Sequence, residues 1–281
     1  MRFERRLIVV LLAAGLGAGA CESSDNVQLL DDPHEIVTAA VTSTAALGSL
    51  HVRVDLTAQA RDDQAGLERA RFLVEADIDV QGRNVAGRSQ MTQGDAAVRA
   101  PETSDFVYVD RVMFTRNSLA PRWFANDNPA NGEHLPTTAA FLGLIERAIG
   151  NRSAVLTLGD AVSCGESTCY RVRGALDPEA TWLLLVAPLV GQPADPAERP
   201  PPDMVPTPGT VELFVDQKTR LLAGINGTFS IQGTAAAFAI TFSNHDLPVQ
   251  IVGPPPQLIE NPNLGGNGIS PAPTAVTLES P

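Results

Sequence analysis

The stretch Leu50-His51-Val52-Arg53-Val54-Asp55-Leu56-Thr57-Ala58 decides the fold. Leu50, Val52, Val54, Leu56 and Ala58 alternate with His51, Arg53, Asp55 and Thr57, and a period of two puts the two sets on opposite faces of a strand. One face needs burial while the other meets water, as in an antiparallel sheet with one solvated side. The following stretch repeats the pattern. Ala70, Phe72, Val74, Ala76, Ile78 and Val80 share a face opposite Arg69, Arg71, Glu75, Asp77 and Asp79, and Leu73 alone breaks step. The polar segment 61–68, with Gly66, reads as the hairpin loop between them.

Upstream, the period changes from two to that of a helix. Asp32-Pro33-His34-Glu35 supplies an N-cap acid, a proline at the first helical position and a glutamate in the first turn. Ile36, Val37, Ala40, Val41 and Leu47 follow on one side, and Gly48 marks the stop. Downstream, 82–93 and 95–100 read as weaker strands. Phe106 to Val109 and Val112 to Thr115 form a hairpin about Asp110-Arg111, and Trp123-Phe124 falls in a loop rich in Asn, Pro and Gly. Helical spacing returns from Pro136 to Ile149 through Phe141, Leu142, Leu144 and Ile145. Strands at Ala154–Val162 and Tyr170–Leu176 flank a loop carrying Cys164 and Cys169, and a third helix starts at Asp177-Pro178.

The segment 191–209 is crowded with proline and carries Asp195, Glu198 and Asp203. The last β block is regular. Val211, Leu213 and Val215 lead through the turn at Asp216 to Leu221, Ile225, Phe229 and Ile231, then to Phe238, Ile240 and Phe242. A short strand at Val249–Val252 ends the domain, and 253–281 is a Pro, Gly and Asn-rich tail expected to be disordered. The expected class is α+β: a curved, half-open antiparallel barrel of roughly eight to eleven strands, with two or three helices on its concave side.

The chain opens with Arg2, Arg5 and Arg6, an apolar run from Leu7 to Ala14, and then small residues up to Cys21. These are the zones of a signal peptide over residues 1–20, too short to persist as a membrane span. A cysteine directly after Gly19-Ala20 reads as the acylated residue of a bacterial lipoprotein, and 21–31 as its tether. Ordinary cleavage near Ala20 with a free Cys21 is the competing reading. Removing the leader, which carries a net charge of +2, takes the formal charge from −12 to −14. That sign argues against nucleic acid, whose phosphates need clustered Lys and Arg. In an exported chain, the remaining pair Cys164 and Cys169 reads as a disulfide.

Taken together, several features resemble the LppX/LprAFG lipoprotein family, whose fold is similar to the lipoprotein carriers LolA and LolB. They are the cysteine after the leader, the helix running into Ser49-Leu50-His51-Val52-Arg53-Val54, the hairpin at Phe106-Val107-Tyr108-Val109-Asp110, and the closing Phe242-Ser243-Asn244-His245-Asp246-Leu247-Pro248-Val249. The resemblance spans about residues 32–252 and omits the cysteine pair and the Pro-rich insert. It implies a hydrophobic half-barrel cavity that holds the acyl chains of a lipid or lipidated molecule. The candidate lining is Ile36, Val37 and Val41 of the first helix; Val52, Val54, Leu56, Phe72, Val74, Ala76 and Ile78 of the first hairpin; Phe141, Leu144 and Ile145 of the second helix; and Phe229, Ile231, Phe238, Ile240 and Phe242 of the last strands.

Enzyme signatures are weak. The chain lacks a Gly-x-Ser-x-Gly elbow, a His-Glu-x-x-His helix and a Gly-Lys-Ser/Thr loop. Ser243, His245 and Asp246 offer the residue types of a hydrolase triad, but near neighbours at a strand end point in alternating directions, so a polar turn is the simpler reading. Cys164 and Cys169 have no third ligand nearby for a metal. The expectation is a non-enzymatic monomer without metal or cofactor, tied to a membrane through Cys21 and exported to the outside of the cell membrane or the periplasm. It would carry or present a lipid. The alternative is a surface or sensor lipoprotein that binds an envelope protein through the acidic Pro-rich segment.

Overall fold

The computed structural model describes residues 29–62, 66–81, 83–94, 100–126, 142, 155–182 and 205–260. The leader, Cys21, most of the tether, the second helix other than Leu142, most of the Pro-rich segment and the tail beyond Glu260 lie outside the described residues.

Helix α1 spans Pro33–Ala45, where Asp32 Oδ1 accepts the His34 N–H at 2.9 Å and Pro33 fills the first turn. Its apolar side, Ile36, Val37, Ala40 and Val41, is buried together with Thr44. The helix ends on Ala46 before reaching Leu47, and Gly48 does not act as its stop. Gly48 N–H instead donates to Asp246 Oδ1 at 2.6 Å, joining the helix exit to the turn after the last long strand, 198 residues on.

Strand β1 (Ser49–Asp62) and β2 (Gly66–Asp79) pair down to Asp62 opposite Gly66, so the expected hairpin loop is mostly strand. Then come β3 (Asn84–Gln93), β4 (Glu102–Val109), β5 (Val112–Asn117) and β6 (Trp123–Asn126), the last within a segment read as loop. Asp110 and Arg111 both adopt positive φ, 53° and 65°, which fits a two-residue turn matched to the strand twist. The strand expected over 154–162 is two short pieces, β7 (Leu156–Leu158) and β8 (Val162–Cys164), both paired with β9 (Ser167–Leu176). The break falls where Gly159 passes Arg171: its N–H donates to Arg171 O at 2.8 Å. The third expected helix is described as one turn, α2 (Pro178–Thr181), capped by Asp177.

Strands β10 (Gly209–Asp216), β11 (Leu222–Ile231) and β12 (Thr234–Ser243) form the last meander. No strand forms at Val249–Val252. The chain continues in order past 252, through a 3₁₀ turn at Pro256–Leu258, to β13 (Ile259–Glu260), which pairs in parallel with β6.

All thirteen described strands belong to one open sheet in the order β13-β6-β5-β4-β3-β2-β1-β12-β11-β10-β9-β7, with β8 beside β9. The curved, unclosed sheet bears out the half-open α+β expectation, with short strands accounting for the higher count. Pairing β1 with β12 places the N-terminal strand at the centre and puts Val54 and Ile240 opposite each other on the inner face. Helix α1 packs on the inner face of β7, β9, β10 and β11. It lies along one rim, where β1 and β11 begin and β10 and β12 end. There Thr44 Oγ1 accepts Leu222 N–H at 3.0 Å, and Tyr170 Oη accepts Leu30 N–H at 2.8 Å.

The candidate lipid-binding face

The register separates the two faces cleanly. Rows such as Phe72–Met91, Val74–Ser89 and Ile78–Val85 lie inside, continuing across β4 and β5 to Phe106, Tyr108 and Met113. On the outer face, Arg53, Glu75, Arg88, Asp105 and Arg116 occupy a single row across β1 to β5 with alternating charge. Arg53 pairs with Glu75, while Asp105 receives Arg88 Nε at 2.7 Å and Arg116 Nε at 3.0 Å. Arg116 also stacks 4.5 Å over Trp123. Burial pushes the Asp105 carboxyl up, but the two guanidinium hydrogen bonds outweigh it and leave the group below its ordinary value.

The inner face divides into two halves. Over β9 to β12 it is closed core. Val172, Leu176, Val211, Leu213, Val215, Leu222 and Ile225 are buried with α1, Leu142 and Trp182. Ile36, Val37, Val41, Phe229, Phe238, Ile240 and Phe242 fall in this packed cluster, with Ile231 packed at its edge, so these candidates sit where the helix already fills the space. Over β1 to β5 the inner face is only partly covered, although Val52, Val54, Leu56 and Ile78 also pack against the edge of that core. Val52, Val54, Leu56, Phe72, Val74 and Ile78 are half-buried, and Ala76 is buried. Val85, Met91, Phe106, Tyr108 and Met113, which the sequence reading left out, extend the same half-buried surface. The hairpin at Phe106 was legible, but its facing set depends on a β3 register that small residues obscured. Phe141, Leu144 and Ile145 lie outside the described residues; their neighbour Leu142 is buried in the core.

Two glycines shape this surface. A Cβ on Gly87 would lie 2.7 Å from the Phe106 ring and 2.4 Å from Glu75 O. On Gly227 it would lie 2.4 Å from the Phe238 ring. In each case the ring tip reaches the cross-strand glycine partner and takes the space of a Cβ. The inner face of β4 and β5 is also graded along the strands. Tyr108 and Met113 stand near the α1 rim, while Ser104, Glu102 and Asn117 stand toward the opposite rim; β3 keeps apolar residues at both ends, Val85 and Met91.

The expected hollow between helices and sheet has a counterpart on the wrong side. An open groove of about 750 Å³ lies over β9 to β12, with Arg173, Glu212, Thr210, Thr228 and Ala237 along it. Two polar pairs run along it, Arg173 with Glu212 at 2.6 Å and Thr210 with Thr228 at 2.9 Å.

Cys164 and Cys169 form the expected disulfide, with Cα atoms 5.9 Å apart. The Ser243-His245-Asp246 group is a turn that locks the α1 rim. Asp246 Oδ1 is taken by Gly48 N–H, Ser49 Oγ donates to Leu247 O, and Asp246 N–H donates to Ser49 O at 2.9 Å. His245 Nε2 is buried without a hydrogen-bond partner. Burial holds the imidazole below its ordinary value, against Asp246, a Leu222 backbone hydrogen bond and Asp216, all of which pull it up. Among the described residues no group of three or more His, Cys, Asp or Glu side chains is placed to hold a metal, and no helix is long and apolar enough to cross a membrane.

No protein-family model matches the sequence, and no curated protein matches it. Solved structures do. LprF from Mycobacterium bovis is similar with a TM-score of 0.50 at 15% identity, over 79% of this chain and 96% of that one. LppX from Mycobacterium tuberculosis gives 0.44 at 12%, over 78% and 98%. A LolA superfamily protein from Nitrosomonas europaea gives 0.26 at 10%, over 79% and 96%. The chain shares the fold of LprF.

Proposed function

We propose that the protein is a non-enzymatic lipid carrier of the cell envelope, tied to a membrane through acylated Cys21 after removal of residues 1–20, with 21–31 as tether and 32–260 as the carrier domain. The observation that carries this reading is the uneven use of the inner face: a closed core over β9 to β12, with α1 on β9 to β11, and an apolar yet half-buried surface over β1 to β5. A single packed core would leave no such strip. The strip is the acyl site, and Val52, Val54, Leu56, Phe72, Val74, Ile78, Val85, Met91, Phe106, Tyr108 and Met113 line it. Burying methylenes contributes about 0.8 kcal/mol each, so one sixteen-carbon chain gains about 10 kcal/mol before the costs of association. Affinity of that kind needs apolar area and no charged partner, which fits the makeup of the strip.

Binding of a fluorescent long-chain fatty acid tests the reading. Val74→Arg, on the inner face of β2, should weaken binding at least tenfold. Thr57→Arg, exposed on the outer face of β1, should leave it unchanged. Matching circular dichroism of the variants separates lost binding from lost folding. Equal binding by both variants would refute the site.

A further inference from the structure

Seven large apolar side chains stand exposed among the described residues, and six of them lie at the two rims. Leu29 (64% exposed), Leu247 (53%) and Val252 (64%) are on the α1 rim. Leu29 adjoins Leu30, which Tyr170 holds at the start of β9; Leu247 follows β12; and Val252 adjoins Gly253, which packs by Val109 at the end of β4. Leu119 (95%), Val155 (73%) and Val205 (48%) are on the opposite rim, after β5 and before β7 and β10. Exposure alone does not choose between rims, but the tether does.

Leu30 is pinned to the α1 rim, because its N–H donates to Tyr170 Oη, which also takes Arg220 Nη1 at 2.6 Å. Cys21 is eight residues from Leu29, a reach of at most about 28 Å at ~3.5 Å per residue. Strand β1 has 14 residues and runs about 45 Å from the same rim at ~3.3 Å per residue. With the opposite rim on the bilayer, the β1–β2 tip would hold Leu30 farther away than the tether can span. With the α1 rim down, the tether stays slack.

We propose that the α1 rim docks on the bilayer that holds Cys21, inserting Leu29, Leu247 and Val252 into the interface, so that a lipid enters the inner face without turning over. This rests on the carrier reading and adds its orientation. A lipid in the facing leaflet points its chains into the bilayer and its head away from it. The inner face of β4 and β5 has the same polarity, with Tyr108 and Met113 at the docked rim and Ser104, Glu102 and Asn117 beyond. The rim carries charges of both signs, Arg83, Arg111 and Lys218 with Asp110, Glu166 and Asp246, so docking relies on apolar insertion.

The test couples the chain from Cys21 to Pro281, through the Cys21 thiol, to phosphatidylcholine vesicles that carry a maleimide lipid and brominated acyl chains. Cys164 and Cys169 are spent in their disulfide. Single probes are Leu247→Trp, Val252→Trp, Leu119→Trp and Val205→Trp; the native Trp123 and Trp182 are buried and form a constant background. Emission from 247 and 252 should be quenched several-fold more than from 119 and 205, and should stay so when salt is raised. Equal quenching at all four positions, stronger quenching at 119 and 205, or loss of the difference in salt would overturn the proposal. Chemical coupling makes this readout independent of acylation in the cell. Labelled fatty acid on Cys21, absent from Cys21→Ser, tests the anchor separately. A chain that docks when coupled but takes no label keeps the rim and loses the anchor.

Discussion

Thr44 shows how a single hydroxyl ties the two secondary-structure types together. It is fully buried on α1, and its Oγ1 accepts the Leu222 N–H that opens β11. Thr44→Val keeps the shape and orphans that N–H, so stability should fall by about 1–3 kcal/mol, read from a urea midpoint at unchanged slope. Gly227 is constrained in the opposite sense, by lack of space. Any Cβ there meets the Phe238 ring and Thr210 O, so Gly227→Val should cost about 1–3 kcal/mol or more in the same assay, with Phe238 forced from its rotamer. Neither role was legible in the sequence. Thr44 reads as one more helical residue, and Gly227 as a small residue between Ile225 and Phe229, because a cross-strand ring contact leaves no mark on local pattern.

At the scale of elements, the sequence reading did best where one face is wet. The alternation in β1 and β2 gave their register faces directly, and capping at Asp32 located the start of α1. It did worst where neither face is fully exposed. Strand β6 reads as loop because Trp123 is buried on the outer side under Arg116, and Pro121, Asn126, Asn128 and Pro129 surround so short a strand. The ordered run from Gly253 to Glu260 was missed because its pairing partner lies more than a hundred residues away in sequence. The turn after β12 carries a pH dependence. His245 has its proton affinity lowered by burial, so the unfolded chain binds the proton more readily, and stability should hold above the ordinary value of 6.5 and decline as the pH falls below it. His245→Gln should flatten thermal midpoints measured between about pH 5 and 7. The carboxylates Asp55, Asp105 and Asp216, all held below 3.8, act in a separate, more acidic window. Removing the Cys164–Cys169 link, which closes a short loop at the tip of β8 and β9, should cost about 2 kcal/mol while leaving the sheet intact.

For the whole molecule, the division of the inner face matters more than the overall shape. The apolar periodicity of β1, β2, β11 and β12 is much the same, so sequence alone assigned all four to one cavity lining. The structure distinguishes them by where α1 lies: against β9 to β11, leaving β1 to β5 half-covered. Helix placement depends on long-range contacts such as Thr44 with Leu222 and Gly48 with Asp246, which periodicity does not encode. The carrier reading therefore stands or falls on whether the β1 to β5 face holds an acyl chain. Native mass spectrometry of the protein released from its own membranes without detergent addresses this directly. A non-covalent mass excess matching one lipid, lost on denaturation, is the predicted result. A bare mass for the intact, folded protein would contradict it.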